Sequence, residues 1–212
     1  MDWIKILEVM LTSVSSILVA LVGSGFFKKM NDRRESLKSK NLLMSQIQRD
    51  EIIHLAIKDI RRRYNSDRVY IWQFHNGGNF YTSYPMQKFS ITYERCSNGL
   101  EKKSEKFQNQ LINNFNSYIK DVMDMKMFYT DINDIEDIGF RSLCSSMGTK
   151  SHCALPIYDK QSHLVAILSL DWVWSSIPEE YLKKDGSFTQ DFINEITDES
   201  KSLDKYLLSS YD

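Results

Sequence analysis

Two histidines and two cysteines are the side chains of this sequence best suited to do chemistry: His75, His152, Cys144 and Cys153. A thiol beside an imidazole can become a nucleophile or a redox centre, because the imidazole can take its proton. The sequence contains no defensible Ser-His-Asp order, no phosphate-binding P-loop and no cluster of metal ligands. Buried cysteine and histidine are also common core residues. We therefore expect a protein without catalytic activity, and a cysteine-based redox enzyme is the alternative.

His75 and Asn76 precede a glycine pair, and aromatic residues follow it. The imidazole and the amide could present a donor and an acceptor to a ligand, or they could satisfy the backbone of a local turn. The aromatic loop, with Phe80, Tyr81 and Met86, fits either core packing or the wall of a binding pocket. Both interpretations stay open.

Arg141 lies between an acidic loop and a predicted apolar hairpin. Its guanidinium could hold an anionic ligand through two parallel hydrogen bonds, or it could pair with Asp134 or Asp137. The loop from Asp131 to Asp137 lacks the ligand order and the glycine of a calcium-binding loop. We expect no metal there.

Two apolar strands joined by a polar turn must position these residues. The strands are predicted at His152–Tyr158 and Leu164–Leu170, with the turn at Asp159–Ser162. Both strands are apolar on both faces, so we expect them to lie centrally in a covered sheet. Arg68–Phe74 has the same character and should lie beside them.

The remaining pattern predicts more strand and helix around this sheet. His75–Gly78 should break the first strand, and Lys88–Glu94 alternates so that Phe89, Ile91 and Tyr93 share one face. Apolar periodicity predicts one helix from Lys102 to Met125. A long helix before Tyr64 and a C-terminal helix should pack against each other.

Composition limits the class of protein. The chain has 212 residues, of which 42% are hydrophobic and 12% aromatic, so it can bury a core. The net charge is −1, which gives no general attraction to nucleic acid. Three cysteines form no disulfide framework and indicate reduced thiols in the cytosol.

The N-terminal region predicts a membrane anchor. Val9–Phe27 has no charged residue and is long enough to span a bilayer, and the basic residues Lys28 and Lys29 follow it. This order favours a single-pass protein of the cytoplasmic membrane with its C-terminal domain in the cytoplasm; a buried helix and a signal peptide are the alternatives. We expect an anchor at 1–30, a helical stalk at 31–49 and a domain at 50–212.

Five segments together indicate a known fold: Arg68–Phe74, Tyr129–Asp131, Gly139–Ser142, Ala154–Tyr158 and Leu164–Asp171. They resemble the corresponding segments of a GAF domain, a small-molecule sensor fold related to PAS domains. The resemblance covers about Asp50 to Ser209. It implies an α+β fold in which a central antiparallel sheet carries helices on one face and a pocket on the other.

The resemblance also implies a binding site and a mode of signalling. The pocket would lie between the sheet and the segments His75–Met86 and Phe128–Met147. We expect an unidentified small-molecule ligand, with output through a partner or through a homodimer of the stalk and C-terminal helices; a protein–protein scaffold at the membrane is the alternative. The Asn-Lys-Phe-Asp-Glu signature of cyclic-nucleotide-binding members is absent, and the cysteines do not follow the spacing of methionine sulfoxide reductases of this fold. The expected ligand-binding residues are Trp72, His75, Asn76, Phe80, Tyr81, Met86, Phe89, Tyr93, Phe128, Arg141, Ser142, Cys144 and His152.

Overall fold

The computed structural model describes residues 3–79, 85–124 and 128–207. The chain divides into two compact units, Met1–Gln48 and Arg49–Ser210. Helix α1, Trp3–Arg63, supplies all the described residues of the first unit and enters the second. Among the described helices, none is both long and apolar enough to cross a membrane, so the predicted span at 9–27 lacks structural support.

The second unit contains a six-stranded antiparallel sheet. Its strands are β1 (Arg68–Asn79), β2 (Pro85–Cys96), β3 (Gln110–Leu111), β4 (Phe128–Tyr129), β5 (Ser151–Tyr158) and β6 (Leu164–Trp172). They follow the order β3-β2-β1-β6-β5-β4 in the sheet, so the hairpin of β5 and β6 lies beside β1, as the apolar runs predicted.

Helices cover both faces of this sheet. The remaining helices are α2 (Asn116–Met123), α3 (Ile138–Ser146) and α4 (Gln190–Leu207). Short 3₁₀ turns lie at Ile112–Phe115, Ile132–Asp134 and Glu179–Tyr181. The predicted hairpin, the helix before Tyr64 and the C-terminal helix are therefore all confirmed.

One face of the sheet packs against the last turns of α1 and against α4. Ile53, Ile57 and Ile60 of α1 are buried in one cluster with Ile196 and Leu203 of α4 and with apolar side chains of β1, β5 and β6. Burying such side chains stabilises the fold by about 1.5–3 kcal/mol each relative to exposure. The predicted packing of the first and last helices is confirmed.

The other face, here called the aromatic face, is covered by α2 and α3. Its buried cluster includes Trp72, Phe89, Phe115, Tyr118 and Phe140. Tyr118 of α2 and Phe140 of α3 stack with ring centroids 3.4 Å apart. Aromatic and aliphatic side chains therefore line the described part of the face on which the resemblance implied a pocket.

A β-bulge corrects the predicted orientation of Tyr93. Ile71 pairs with Tyr93 while Trp72 pairs with Ile91, so Thr92 is an extra residue in β2. The bulge reverses the alternation: Phe89 and Ile91 lie on the aromatic face, whereas Tyr93 packs on the α1 side. The prediction that Phe89, Ile91 and Tyr93 share one face is wrong.

Two other boundaries differ from prediction. The predicted helix 102–125 is helical only over Asn116–Met123 and the 3₁₀ turn before it, because Gln110 and Leu111 pair with β2. Strand β1 continues through His75–Gly78 to Asn79 instead of breaking there. A register shift between Asn76 and Asn79 and a positive φ of 91° at Gly78 accommodate the glycine pair within the strand.

Candidate functional site

At one end of the aromatic face, the buried carboxylate of Asp171, near the end of β6, contacts several polar side chains. Its Oδ1 accepts from the Tyr70 hydroxyl at 3.2 Å and lies 2.8 Å from Nδ1 of His152. Its Oδ2 accepts from Arg68 Nη1 at 3.1 Å and from the Thr149 hydroxyl at 2.9 Å. Four side chains therefore meet at one carboxylate: two from β1, one from β5 and one from the segment between α3 and β5.

Arg68, the first residue of β1, supplies the positive charge of this cluster. Its side chain is completely buried, and Nε lies 3.2 Å from Oε1 of Glu94. Its terminal nitrogens also lie 3.4 Å from the carbonyl oxygen of Met147, beyond the end of α3. A buried guanidinium needs such partners, because an unpaired buried charge is very costly.

His152 of β5 connects the carboxylate to α2. Its Nε2 lies 3.1 Å from the Tyr118 hydroxyl, and its Nδ1 contacts Asp171. The Nδ1 must carry the proton in this pair, because an ionised carboxylate only accepts hydrogen bonds. Tyr118, His152, Asp171 and Arg68 thus form one continuous chain, here called the buried polar chain.

The two tyrosines of this site are held in their protonated form. Burial, and then the Asp171 charge, raise the pKa of Tyr70 well above its ordinary value. Burial and then Cys144 do the same for the pKa of Tyr118. Both hydroxyls therefore act as hydrogen-bond donors or acceptors and do not ionise at neutral pH.

The two buried cysteines do not form a reactive pair. Cys144 lies on the aromatic face and Cys153 on the α1 side of the sheet. Burial raises the pKa of both thiols well above the ordinary value, and the Asp171 charge adds to the shift. Since the thiolate is the reactive form, this environment suppresses nucleophilic and redox chemistry.

Four predicted ligand-binding residues do meet on the aromatic face: Trp72, Phe89, Cys144 and His152. The rings of Trp72 and Phe89 lie 4.5 Å apart between centroids. The Trp72 indole Nε1 is buried and has no hydrogen-bond partner among the described residues. Buried donors are usually paired, so an unpaired one marks a place where a further acceptor would fit.

Other predicted residues lie elsewhere. His75 Nε2 is 2.9 Å from the Ser90 hydroxyl, and the exposed Asn76 accepts from the Gly78 amide through Oδ1. Arg141 donates to the Glu136 carbonyl at 3.4 Å, and Ser142 is exposed. Among the described residues, neither Asp134 nor Asp137, the two carboxylates proposed as partners, forms an ion pair with Arg141.

Some predictions lie outside the described residues. Phe80 and Tyr81 belong to the segment 80–84. Met86 and Phe128 have backbone positions within β2 and β4, but their side chains are not described. The predicted role of these four aromatic and methionine side chains stays a prediction.

Sequence reasoning missed the charged and hydroxyl-bearing core of the site: Arg68, Tyr70, Glu94, Tyr118, Thr149 and Asp171. A usable signal was present, because Arg68 opens an otherwise apolar strand and Asp171 nearly ends another. The strands are neighbours in which Arg68 pairs with Asp171. Opposite charges at facing positions of apolar strands favour a buried ion pair, but the pairing was not known.

Among the described residues, no group of three or more His, Cys, Asp or Glu is arranged to hold an ion. A cavity of about 180 Å³ lies between β5 and α4, lined by Leu155, Ile157 and Tyr158 and by Thr197, Lys201 and Asp204 among others. It lies away from the buried polar chain, on the side of the sheet that α4 covers.

No protein-family model matches this sequence. A search of the curated proteins finds no match either. Solved structures with a similar fold include the PixJ GAF domain of Thermosynechococcus elongatus, with a TM-score of 0.57 and 13% identity over 78% of this chain and 88% of that chain. A far-red cyanobacteriochrome photoreceptor has a TM-score of 0.55 and 11% identity over 84% of this chain and 96% of that chain. The GAF domain region of a Geobacter sulfurreducens PCA protein has a TM-score of 0.53 and 14% identity over 79% of this chain and 97% of that chain. Such low identity speaks to architecture alone: the chain has the fold of a GAF domain.

Proposed function

We propose that this protein is a sensory or regulatory module that binds a small molecule at the aromatic face. The observation that carries the proposal is the difference between the two faces of the sheet. The face against α1 and α4 has an apolar core, whereas the aromatic face buries the charged and titratable side chains of Arg68, Asp171 and His152. Buried ionic groups are often less stabilising than apolar replacements, and they concentrate at functional sites.

The chemistry of the site suits binding better than catalysis. Aromatic rings line the face, and a few polar groups lie at one end, which is the usual composition of a ligand site. The hydroxyls of Tyr70 and Tyr118 remain protonated, and the thiols of Cys144 and Cys153 are held as thiols. We therefore propose a non-catalytic protein. Cys144→Ser and Cys153→Ser variants assayed on free methionine sulfoxide test this, and any activity lost in them contradicts it.

A thermal-shift screen against nucleotides and small metabolites tests ligand binding, because a ligand that binds only the native state raises the Tm. Trp72→Phe keeps the aromatic ring but removes the unpaired donor. Trp172→Phe is the matched control, since Trp172 is equally buried, also has an unpaired Nε1 among the described residues, and lies on the opposite face. We expect Trp72→Phe alone to reduce the shift. A panel without any shift, or equal loss in both variants, contradicts the proposal.

A second candidate function is protein–protein interaction through α1. Leu37, Leu43, Met44 and Ile47 are 42–57% exposed, which is unusual for large apolar side chains clustered on one helix. We propose that this stretch binds the same stretch of a second copy. Light scattering of the protein and of a Leu43→Ser, Ile47→Ser variant tests this: the variant should be monomeric, and an unchanged mass in both contradicts it.

Membrane attachment is a proposal from the sequence alone, resting on uncharged Val9–Phe27 and on the basic residues after it. The helices of the described residues do not support it. The protein would lie in the cytoplasmic membrane with its domain in the cytoplasm. Cell fractionation of the full chain and of a variant that lacks residues 1–30 tests this. Recovery of the full chain in the soluble fraction would overturn the proposal.

A further inference from the structure

We propose that the buried polar chain mechanically couples α2 on the aromatic face to the turn that joins α1 and β1. This turn, Asn65–Asp67, is here called the junction. The coupling itself is a property of the fold, and its use as a signal rests on the proposed function. It would carry a change at the ligand face to the last turn of α1.

The buried polar chain begins at α2 and α3, which are joined by hydrogen bonds and by a ring stack. One carboxylate, that of Asp137, caps α3 through the Phe140 amide at 2.9 Å. Its other oxygen accepts from the Tyr118 amide at the start of α2 at 3.1 Å. Because Tyr118 also stacks on Phe140, a shift of either helix displaces the Tyr118 hydroxyl.

The side chains in the middle of the buried polar chain cannot replace a lost hydrogen bond with one to water. The side chains of Arg68, His152 and Asp171 are completely excluded from solvent, and Tyr118 is 0% exposed. Displacing Tyr118 must either break its contact with His152 or pull His152 and Asp171 with it. Breaking it would leave buried polar groups unpaired, which costs more than the hydrogen bond contributes. Concerted movement is therefore favoured.

The other end of the buried polar chain is hydrogen-bonded to the junction. The Asp67 amide donates to the Asp171 carbonyl at 2.9 Å. The Asp67 carboxylate accepts from the amides of Val173 and Trp174 at 2.8 and 2.9 Å. Arg61, in the last turn of α1, donates to the carbonyl of Ser66 and to the hydroxyl of Ser97 at 3.4 and 2.6 Å. The end of β6, the junction and the end of α1 thus form one bonded unit.

Hydrogen exchange of the full-length protein measures this coupling without a ligand. Tyr118→Phe removes the contact with His152 and retains the ring that stacks on Phe140. We expect amide exchange to become roughly fivefold faster at Asp67, Val173 and Trp174, the change that corresponds to losing one typical hydrogen bond. Tyr158→Phe is the control, because Tyr158 lies on the same strand as His152 but does not belong to the buried polar chain. This variant should leave amide exchange at the junction unchanged.

Faster exchange confined to α2, α3 and β5 in Tyr118→Phe would overturn the coupling. Asp171→Asn provides a second variant, because Asp171 lies at the centre of the buried polar chain. This variant should accelerate amide hydrogen exchange both in α2 and at the junction. An unchanged junction in Asp171→Asn would likewise overturn it. Neither result bears on ligand binding, which the thermal-shift screen tests separately.

Discussion

The Nδ1 atom of His152 lies 2.8 Å from Oδ1 of Asp171, and both side chains are completely buried. The same carboxylate also accepts from Tyr70, Arg68 and Thr149. One acidic side chain therefore fixes the relative positions of β1, β5 and β6 and of the segment between α3 and β5. The stability of the domain should depend on this cluster more than on any ion pair at its surface.

Replacing Arg68 with methionine should lower the free energy of unfolding by about 3–5 kcal/mol, because it leaves Asp171 and Glu94 as uncompensated buried charges. Urea unfolding followed by circular dichroism measures the loss. Arg63→Met is the matched control: Arg63 pairs with Glu199, but its side chain is 59% exposed. Removing that pair should cost only about 0–1 kcal/mol. Similar losses in both variants would contradict the assigned role of Arg68.

Replacing Gly139 with alanine should destabilise the aromatic face by about 1–3 kcal/mol. A Cβ at this position would lie 2.5 Å from the backbone oxygen of Asn114, which cannot rotate away as a side chain could. The first turn of α3 would have to move away from the 3₁₀ turn that precedes α2. Thermal unfolding measures the change, and Ser145→Ala, at an exposed position of the same helix, should stay within about 0.5 kcal/mol. An unchanged Tm for Gly139→Ala would show that this close approach is absent.

The elements that sequence reasoning predicted well are those whose signal is local. The β5–β6 hairpin follows from two apolar runs around a polar turn, and the α1–α4 packing follows from apolar periodicity. Gly139 belongs to the motif that suggested the fold, but the atom that it approaches, the backbone oxygen of Asn114, is distant in sequence.

The features that it missed depend on partners distant in sequence. The bulge at Thr92 exists only relative to β1, so strict alternation placed Tyr93 on the wrong face. Similarly, the apolar spacing of 102–125 could not reveal that Gln110 and Leu111 pair with β2. Arg68 and Asp171 at strand ends could equally have faced solvent until the register paired them. The ion pair at the centre of the candidate site therefore could not be assigned from patterns read along one segment.

Cysteine labelling should distinguish the three thiols. Burial, followed by the Glu94 charge, raises the pKa of Cys96 to about 11, and burial holds the pKa of Cys144 and Cys153 well above the ordinary value. Near neutral pH we expect all three to alkylate far more slowly than a free thiol, with Cys96 first because only it is partly exposed. Mass spectrometry after iodoacetamide treatment measures this, and labelling in urea is the control. Rapid native-state labelling of Cys144 or Cys153 would contradict the buried environment and would revive the redox alternative.

The contact between α1 and β2 should weaken in acid because of His54. Its ring lies edge-on to Tyr93 with centroids 5.4 Å apart, and its carbonyl accepts from Arg95. Burial, and then the charges of Arg95 and Lys102, lower the pKa of His54 below 6.5, while Asp50 opposes them. The unfolded chain therefore binds the proton more readily. The contribution of His54 to stability is complete above about pH 6.5, the ordinary pKa, and is lost as the pH falls from there through the lower pKa of the folded state. Urea unfolding between about pH 5 and pH 8 measures the effect, and His54→Gln should flatten the curve. A pH dependence that is unchanged in His54→Gln would exclude His54 as the source.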